Sequence, residues 1–167
     1  MDMREIVIEK ITVNIGVGQP GERLDFAKEL LNKMTGKTPT ETRAKRREPV
    51  FKLRKGLPIG AKVTLRGKDA LEFVDKALTA RKRQISEGNF DKTGNLSFGV
   101  PEYIDFPGAK YDPKIGMFGF DVCVTLKRRG KRVALRKIKR SKIGKNQRVS
   151  KEEAITFAKE KLKAEVS

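Results

Sequence analysis

Histidine is absent from this 167-residue chain and cysteine occurs once, at Cys123. Counting therefore removes structural disulfides, the usual Cys and His zinc sites and histidine acid–base catalysis, and neither a metal nor a cofactor is expected. A catalytic cysteine needs a neighbouring base, whereas Cys123 lies inside the alternating apolar segment FDVCVTL and reads as a strand residue. No apolar run approaches the ~18 residues of a membrane span, and no N-terminal apolar region marks a secretory signal. A cytosolic protein without a membrane partner is the expectation. Acid is also scarce: 21 Asp and Glu stand against 39 Lys and Arg, a net charge of +18, and no acid falls between Asp121 and Glu152.

What is present follows from that imbalance. The length suits one domain, residues 1–167, with extensions, and so large an excess of one sign repels itself unless a polyanion neutralises it. Nucleic acid is the obvious partner. The charge gathers in two places. The first is Thr42 to Gly67, TRAKRREPVFKLRKGLPIGAKVTLRG, where Arg43, Lys45, Arg46, Arg47, Lys52, Arg54, Lys55, Lys62 and Arg66 meet one acid, Glu48. An ordinary solvated surface mixes both signs. The second is Lys127 to Arg148, where 12 of 22 residues are Lys or Arg. An internal run so one-sided should be poorly ordered unless it lies on a polyanion.

Hydrophobic periodicity supplies the scaffold. From Lys10 onward Ile11, Val13, Ile15 and Val17 alternate with Thr12, Asn14 and Gly16, a strand with one dry face. Residues 22–35 place Leu24, Ala27, Leu31 and Met34 at helical spacing, and Gly36 ends that helix. Pro39 to Lys45 is too polar for anything but an edge strand. Ala61, Val63 and Leu65 alternate with Lys62, Thr64 and Arg66 in a second half-wet strand. Residues 69–82 repeat the helical pattern with Ala70, Leu71, Val74, Ala77 and Leu78 as the stripe and Arg81 to Arg83 at the dipole's negative end. Seven of the 11 aromatics cluster between Phe90 and Phe120 among Gly, Pro and Asp, which reads as a satellite core rather than a base-stacking surface. Phe120, Val122, Val124 and Leu126 make a further strand, and SKEEA from Ser150 caps a closing helix with Ile155, Ala158 and Leu162 as its stripe. The pattern predicts an α+β fold: an antiparallel sheet with helices packed on one face and an open, polar face carrying Thr12, Asn14, Lys62, Thr64 and Arg66.

One motif points elsewhere. Gly16, Gly18 and Gly21 in GVGQPG follow a strand and open a helix, as a dinucleotide fingerprint does. The next strand of such a fold is buried and apolar, whereas Thr38 to Lys45 is polar and basic, and Pro20 removes a backbone N–H that a phosphate would use. A tight glycine turn accounts for the motif. Among nucleic acids, neither helix-turn-helix spacing nor a basic zipper is present to enter a DNA major groove, although a general nucleic-acid-binding protein stays as the alternative. Folded RNA suits a sheet face with loops: Thr and Asn meet 2′-hydroxyls or base edges while Lys and Arg hold phosphates.

At these same residues the sequence resembles a known family. ITVNIGVG (Ile11 to Gly18), TG at Thr35, TRAK (Thr42 to Lys45), FKLRKGLPIGAKVTLRG (Phe51 to Gly67), GNLSFGVPEYIDFPGAKYD (Gly94 to Asp112) and the following FGFDV are similar, in order, to the large-subunit ribosomal protein L-five family, which holds 5S ribosomal RNA. The short N-terminus, the basic insert after Leu126 and SKIGKNQRVSKEEA resemble its archaeal and eukaryotic branch. The resemblance implies a non-enzymatic, cytoplasmic ribosomal protein, a monomer within the ribosome. It implies 5S RNA contacts at Asn14, Phe51 and Thr64, and at Lys37, which stands where the family commonly has glutamine; the polar strand face adds Thr12, Lys62 and Arg66 to the expected 5S RNA contacts. It further implies that a basic loop at about 44–60, with Lys45, Arg46, Arg47, Lys52, Arg54 and Lys55, approaches peptidyl-site transfer RNA. The insert at about 127–149 is left for other RNA, with Lys127, Arg128, Arg129, Lys131, Arg132, Arg136, Lys137, Lys139 and Arg140 as its contacts. The implied partners also include 23S-type RNA near the central protuberance and neighbouring ribosomal proteins, one of them in the small-subunit head.

The dinucleotide alternative is testable directly. Calorimetric titration with a nicotinamide dinucleotide should give no saturable heat; a saturable isotherm would restore the enzyme reading.

Overall fold

The computed structural model describes residues 3–166. In chain order they form β1 (Ile6–Gly16), α1 (Glu22–Thr35), β2 (Thr40–Arg43), β3 (Pro58–Leu65), α2 (Lys68–Ala80), β4 (Gln84–Ile85), β5 (Leu96–Val100), β6 (Phe120–Arg128), α3 (Arg132–Leu135), α4 (Lys151–Lys161) and β7 (Glu165–Val166). An antiparallel five-stranded sheet of order β2-β3-β1-β6-β5, together with the helices, makes the fold α+β, and β4 pairs with β7 in parallel. The chain divides into two compact units. The first takes the chain up to Ile11, Arg66–Phe98 and everything from Cys123; the second takes Thr12–Leu65 and Gly99–Val122.

In the second unit the period-2 pattern buries Val13 and Ile15 of β1 and Ala61, Val63 and Leu65 of β3. Helix α1 packs on β3 and buries Leu24, Ala27, Leu30 and Leu31, and Gly36 closes it in the left-handed conformation with its N–H donating to the Asn32 carbonyl. Val17 lies just past the strand and is half-buried. Two lysines of α1 tie it down: Lys28 Nζ reaches Asp25 (2.9 Å) and Glu41 of β2 (2.6 Å), and Lys33 reaches Glu29 (2.8 Å) and Asp112 (3.1 Å). Carboxylate hydrogen bonds raise the pKa of both ammoniums. β2 is an edge strand, as its polarity requires, with Thr40 opposite Lys62 and Thr42 opposite Gly60.

The aromatic cluster is core. Tyr103, Phe106, Phe118 and Phe120 are buried in the second unit, with Phe106 edge-on to Phe120 and the Tyr103 hydroxyl accepting from the Asp112 N–H at 3.0 Å. Phe90 and Phe98 are buried in the first unit, and Tyr111 alone of the seven is exposed. β5 emerges from within this segment; the surrounding turns mask its alternation of Leu96, Phe98 and Val100 with Ser97 and Gly99.

The first unit buries Ala70, Phe73, Val74, Ala77 and Leu78 of α2. Leu71, expected in that stripe, is exposed, and Phe73 supplies the bulk instead. Arg81 caps α2 while Lys82 and Arg83 lie beyond it at positive φ, so no basic residue occupies its last turn. Arg83 instead donates to the Leu162 carbonyl and to Asp75. Ser150 and Glu153 form the expected capping box of α4, but Ala154 and Ala158 are its buried residues and Ile155 and Leu162 are half-buried. No polar or charged residue is buried among those described.

One glycine sets how closely the strands approach. A Cβ added to Gly60 would stand 2.6 Å from the Ile15 carbonyl oxygen and 2.8 Å from Thr42 Oγ1. The first of these is backbone of the neighbouring strand and has nowhere to go. Gly60→Ala should therefore cost about 1–3 kcal/mol, as overpacking does, and lower the melting temperature by roughly 2–4 °C for each kcal/mol. A calorimetric scan matching the unsubstituted protein would refute the close approach.

Candidate nucleic-acid interface

The alternation that buries one side of β1 and β3 turns a polar row outward on the other. Lys62 and Thr64 of β3 are exposed, Thr12 and Asn14 of the adjoining β1 are half-exposed, and Thr40 of β2 joins the row opposite Lys62. Arg66 follows β3 directly and is exposed, as is Lys37 between α1 and β2. These groups offer hydroxyl, amide and ammonium chemistry suited to sugar, base edge and phosphate. Sequence reasoning overlooked the contribution of β6: Asp121 and Cys123 are exposed because they alternate with buried Phe120, Val122 and Val124. The signal was present in that alternation.

The basic loop is a ribbon. Beyond β2 and β3 the pairing continues through the Ala44 N–H to the Leu57 carbonyl (2.8 Å), then through a reciprocal pair between Glu48 and Leu53 (3.0 and 2.9 Å), and Lys52 closes the tip onto the Pro49 carbonyl. Residues 58–60, expected in the loop, already belong to β3. Lys45, Arg46, Arg47, Lys52, Arg54 and Lys55 are all exposed. Val50 and Phe51 at the tip are 81 % and 67 % exposed, so the ribbon ends in an apolar cap flanked by cations. Phe51 therefore does not join Asn14 and Thr64 on the sheet, but belongs to the ribbon tip.

The insert after β6 is partly self-neutralised. Arg128 pairs with Glu153 and donates to the Asn146 carbonyl, Arg129 pairs with Glu5 (2.9 Å), and Lys131 pairs with Glu9. The run is acid-free in sequence, yet the fold brings acids to it from β1, the segment before β1, and α4. It also holds α3 and a 3₁₀ turn at Lys145–Gln147. Arg132, Arg136, Lys137, Lys139 and Arg140 are exposed and Lys127 is half-exposed. The Ser150 backbone N–H, and then Arg128 acting against a desolvation that opposes them both, hold the Glu153 carboxyl below the usual glutamate value.

The glycine turn at Gly16–Gly21 spends two of its backbone donors on the neighbouring strand. The N–H groups of Val17 and Gly18 both donate to the Ile59 carbonyl, at 2.9 and 2.8 Å. The strand after α1 is an antiparallel edge strand rather than the buried parallel neighbour a dinucleotide fold requires.

An antiparallel sheet with a polar outward row, a cationic ribbon and a cationic insert defines a polyanion-binding α+β protein. Residues 2–54 match the family model described as Ribosomal protein L5, and residues 58–157 match the model of the C-terminus of the same ribosomal family. The chain is 51 % identical over 167 residues to the large ribosomal subunit protein uL5 of Methanococcus maripaludis (strain C6), covering 98 % of this chain and 92 % of the relative. It is 48 % identical over 164 residues to the protein of that name from Methanoculleus marisnigri, covering 98 % of each chain. The counterpart in Methanoregula boonei is 46 % identical over 164 residues, 98 % of this chain and 99 % of that one. The chain belongs to the ribosomal protein L5 family: it is a structural, non-enzymatic constituent of the large subunit of the cytoplasmic ribosome.

Because its carboxyl is held low in the folded state, Glu153 contributes stability that is complete above the ordinary glutamate value of 4.5 and is lost as pH falls through the folded value. Glu153→Gln should show a smaller drop in melting temperature between pH 6 and pH 3 than the unsubstituted protein. Identical pH profiles would show that the Ser150 and Arg128 contacts do not favour the charged form.

Proposed function

We propose that the outward row of β1 and β3 binds 5S ribosomal RNA and that the ribbon reaches a second RNA, the peptidyl-site transfer RNA. The observation that carries this reading is the exposed row itself: Lys62 and Thr64 beside Asn14 and Thr12 on adjoining strands, over a core with no buried polar residue among those described. A rigid row of hydroxyl, amide and ammonium groups fits the wide, shallow groove and exposed phosphates of folded RNA. The ribbon's six exposed cations and its apolar tip lie on a projecting element instead, which favours a separate contact. In this reading the protein helps to attach 5S RNA to 23S-type RNA at the central protuberance, with Arg66 and Lys37 on phosphates and neighbouring ribosomal proteins beside it, one of them in the small-subunit head. It acts as a monomer, and the exposed cations of the insert take other ribosomal RNA.

Asn14→Ala combined with Thr64→Val should weaken binding to isolated 5S RNA by at least several-fold and leave binding to unrelated RNA nearly unchanged; equal losses on both would sink the assignment. Replacing Lys45, Arg46 and Arg47 with glutamine should spare 5S affinity and reduce transfer RNA contact on assembled subunits. A salt titration against 5S RNA and duplex DNA supplies the control, since each neutralised phosphate adds roughly 0.7 to 0.9 to the log–log slope. Preference for 5S RNA should survive at high salt, where a general nucleic-acid binder would show none.

A further inference from the structure

A cleft of about 410 Å³ opens in the first unit, bounded by the end of β6, the region of α3, the chain before α4 and the turn into β5. Its volume is that of a small-ligand site, for which roughly 300–1,000 Å³ is usual. Among the described residues the lining has no acid. Of its five cations, Arg128 and Lys131 are engaged with Glu153 and Glu9, while Lys127, Lys142 and Arg148 form no ion pair among the described residues. Leu126 and Val149 are buried and Ala134 and Ile143 half-buried, which gives the cleft apolar walls between its charges.

Two amides complete it, and both are held by their nitrogens. Asn95 Nδ2 donates to Asp91 (2.8 Å) and Thr93 (2.9 Å), and Gln147 Nε2 donates to the carbonyls of Met3 (3.0 Å) and Arg129 (3.1 Å). With the donors spent inside the fold, each amide oxygen is left as the acceptor for a ligand.

We infer that this cleft receives a single nucleotide turned out of an RNA helix, and that it prefers a base carrying an exocyclic amino group. Lys127, Lys142 and Arg148 hold the phosphate, the apolar walls take the face of the base, and the oxygens of Asn95 and Gln147 accept from the amino group. Splayed, unstacked bases are what single-sited RNA recognition uses. Uracil presents a carbonyl where cytosine presents the amine, so it would set acceptor against acceptor. The inference rests on the reading of the chain as an RNA-binding protein but is independent of which RNA the sheet row holds.

The test is fluorescence anisotropy of the full chain with the RNA hexamers C6 and U6, which differ at that position and at the adjacent N3, an acceptor in cytosine and an N–H donor in uracil. C6 should bind about fivefold more tightly, the factor of one neutral hydrogen bond. Ile143→Trp, which fills the cleft without changing charge, should erase the difference by bringing C6 affinity down to that of U6; Ala134→Leu repeats the test should the tryptophan variant melt early. Lys127→Gln with Lys142→Gln should weaken both hexamers alike and lower the single-strand salt slope by roughly 0.7 for each lost contact. Equal binding of C6 and U6 by the unsubstituted protein overturns the inference, as does a preference that persists in a folded, filled variant. In that case the cleft is left to a protein neighbour. Binding of 5S RNA, run in parallel, separates the two claims: intact 5S preference with no hexamer preference removes the cleft alone, and the converse removes the 5S assignment alone.

Discussion

Everything the outward surface presents depends on how closely β3 lies against β1. The Gly60 Cα faces the Ile15 carbonyl with no room for a side chain, and the Ile59 carbonyl accepts both N–H groups of the turn that ends β1. Together they fix the register of the two strands. In a sheet a slip of one residue sends every side chain to the opposite face. Here a slip would bury Lys62 and Thr64 and expose Val63 and Leu65. The same contact weighs against the dinucleotide motif, because the turn that resembles a phosphate loop has given the Val17 and Gly18 N–H groups to β3.

Charge is arranged around that frame by position in the fold rather than in the sequence. Among the described residues the core has no buried polar group. Cations nearest the structural elements meet acids: Lys28 with Glu41, Lys33 with Asp112, Arg128 with Glu153, Lys131 with Glu9. These pairs decide which cations stay available to a polyanion. The available ones lie on the ribbon, on the outward row, and on the far part of the insert.

Local chemistry makes much of this legible. Period-2 alternation finds β1, β3 and β6, helical spacing finds α1, α2 and α4, and polarity alone marks β2 as an edge. The failures have physical causes. β5 is short and lies among glycines and turn residues, so its alternation is hidden. Spacing places Leu71 in the core because it cannot tell neighbouring apolar positions of a helix apart, whereas packing chooses Phe73. The ribbon that carries Phe51 at its tip is hidden because its pairing is made by backbone groups that carry no sequence signature. The insert looks unbalanced because its acids are more than a hundred residues away in sequence, or on the following helix.

The sequence by itself determined the strand faces, the helix stripes, the absence of histidine chemistry and the excess of positive charge, because each is a property of residues within a few positions of one another. Family membership was also readable from the ordered motifs. Only the tertiary structure decided which cations are spent on Glu5, Glu9 and Glu153 and which stay exposed, and that a cleft with no acid among the described residues forms where β6, the insert and the turn into β5 converge. Those outcomes depend on long-range approach, and no local pattern encodes which distant groups the chain will bring within a few ångströms.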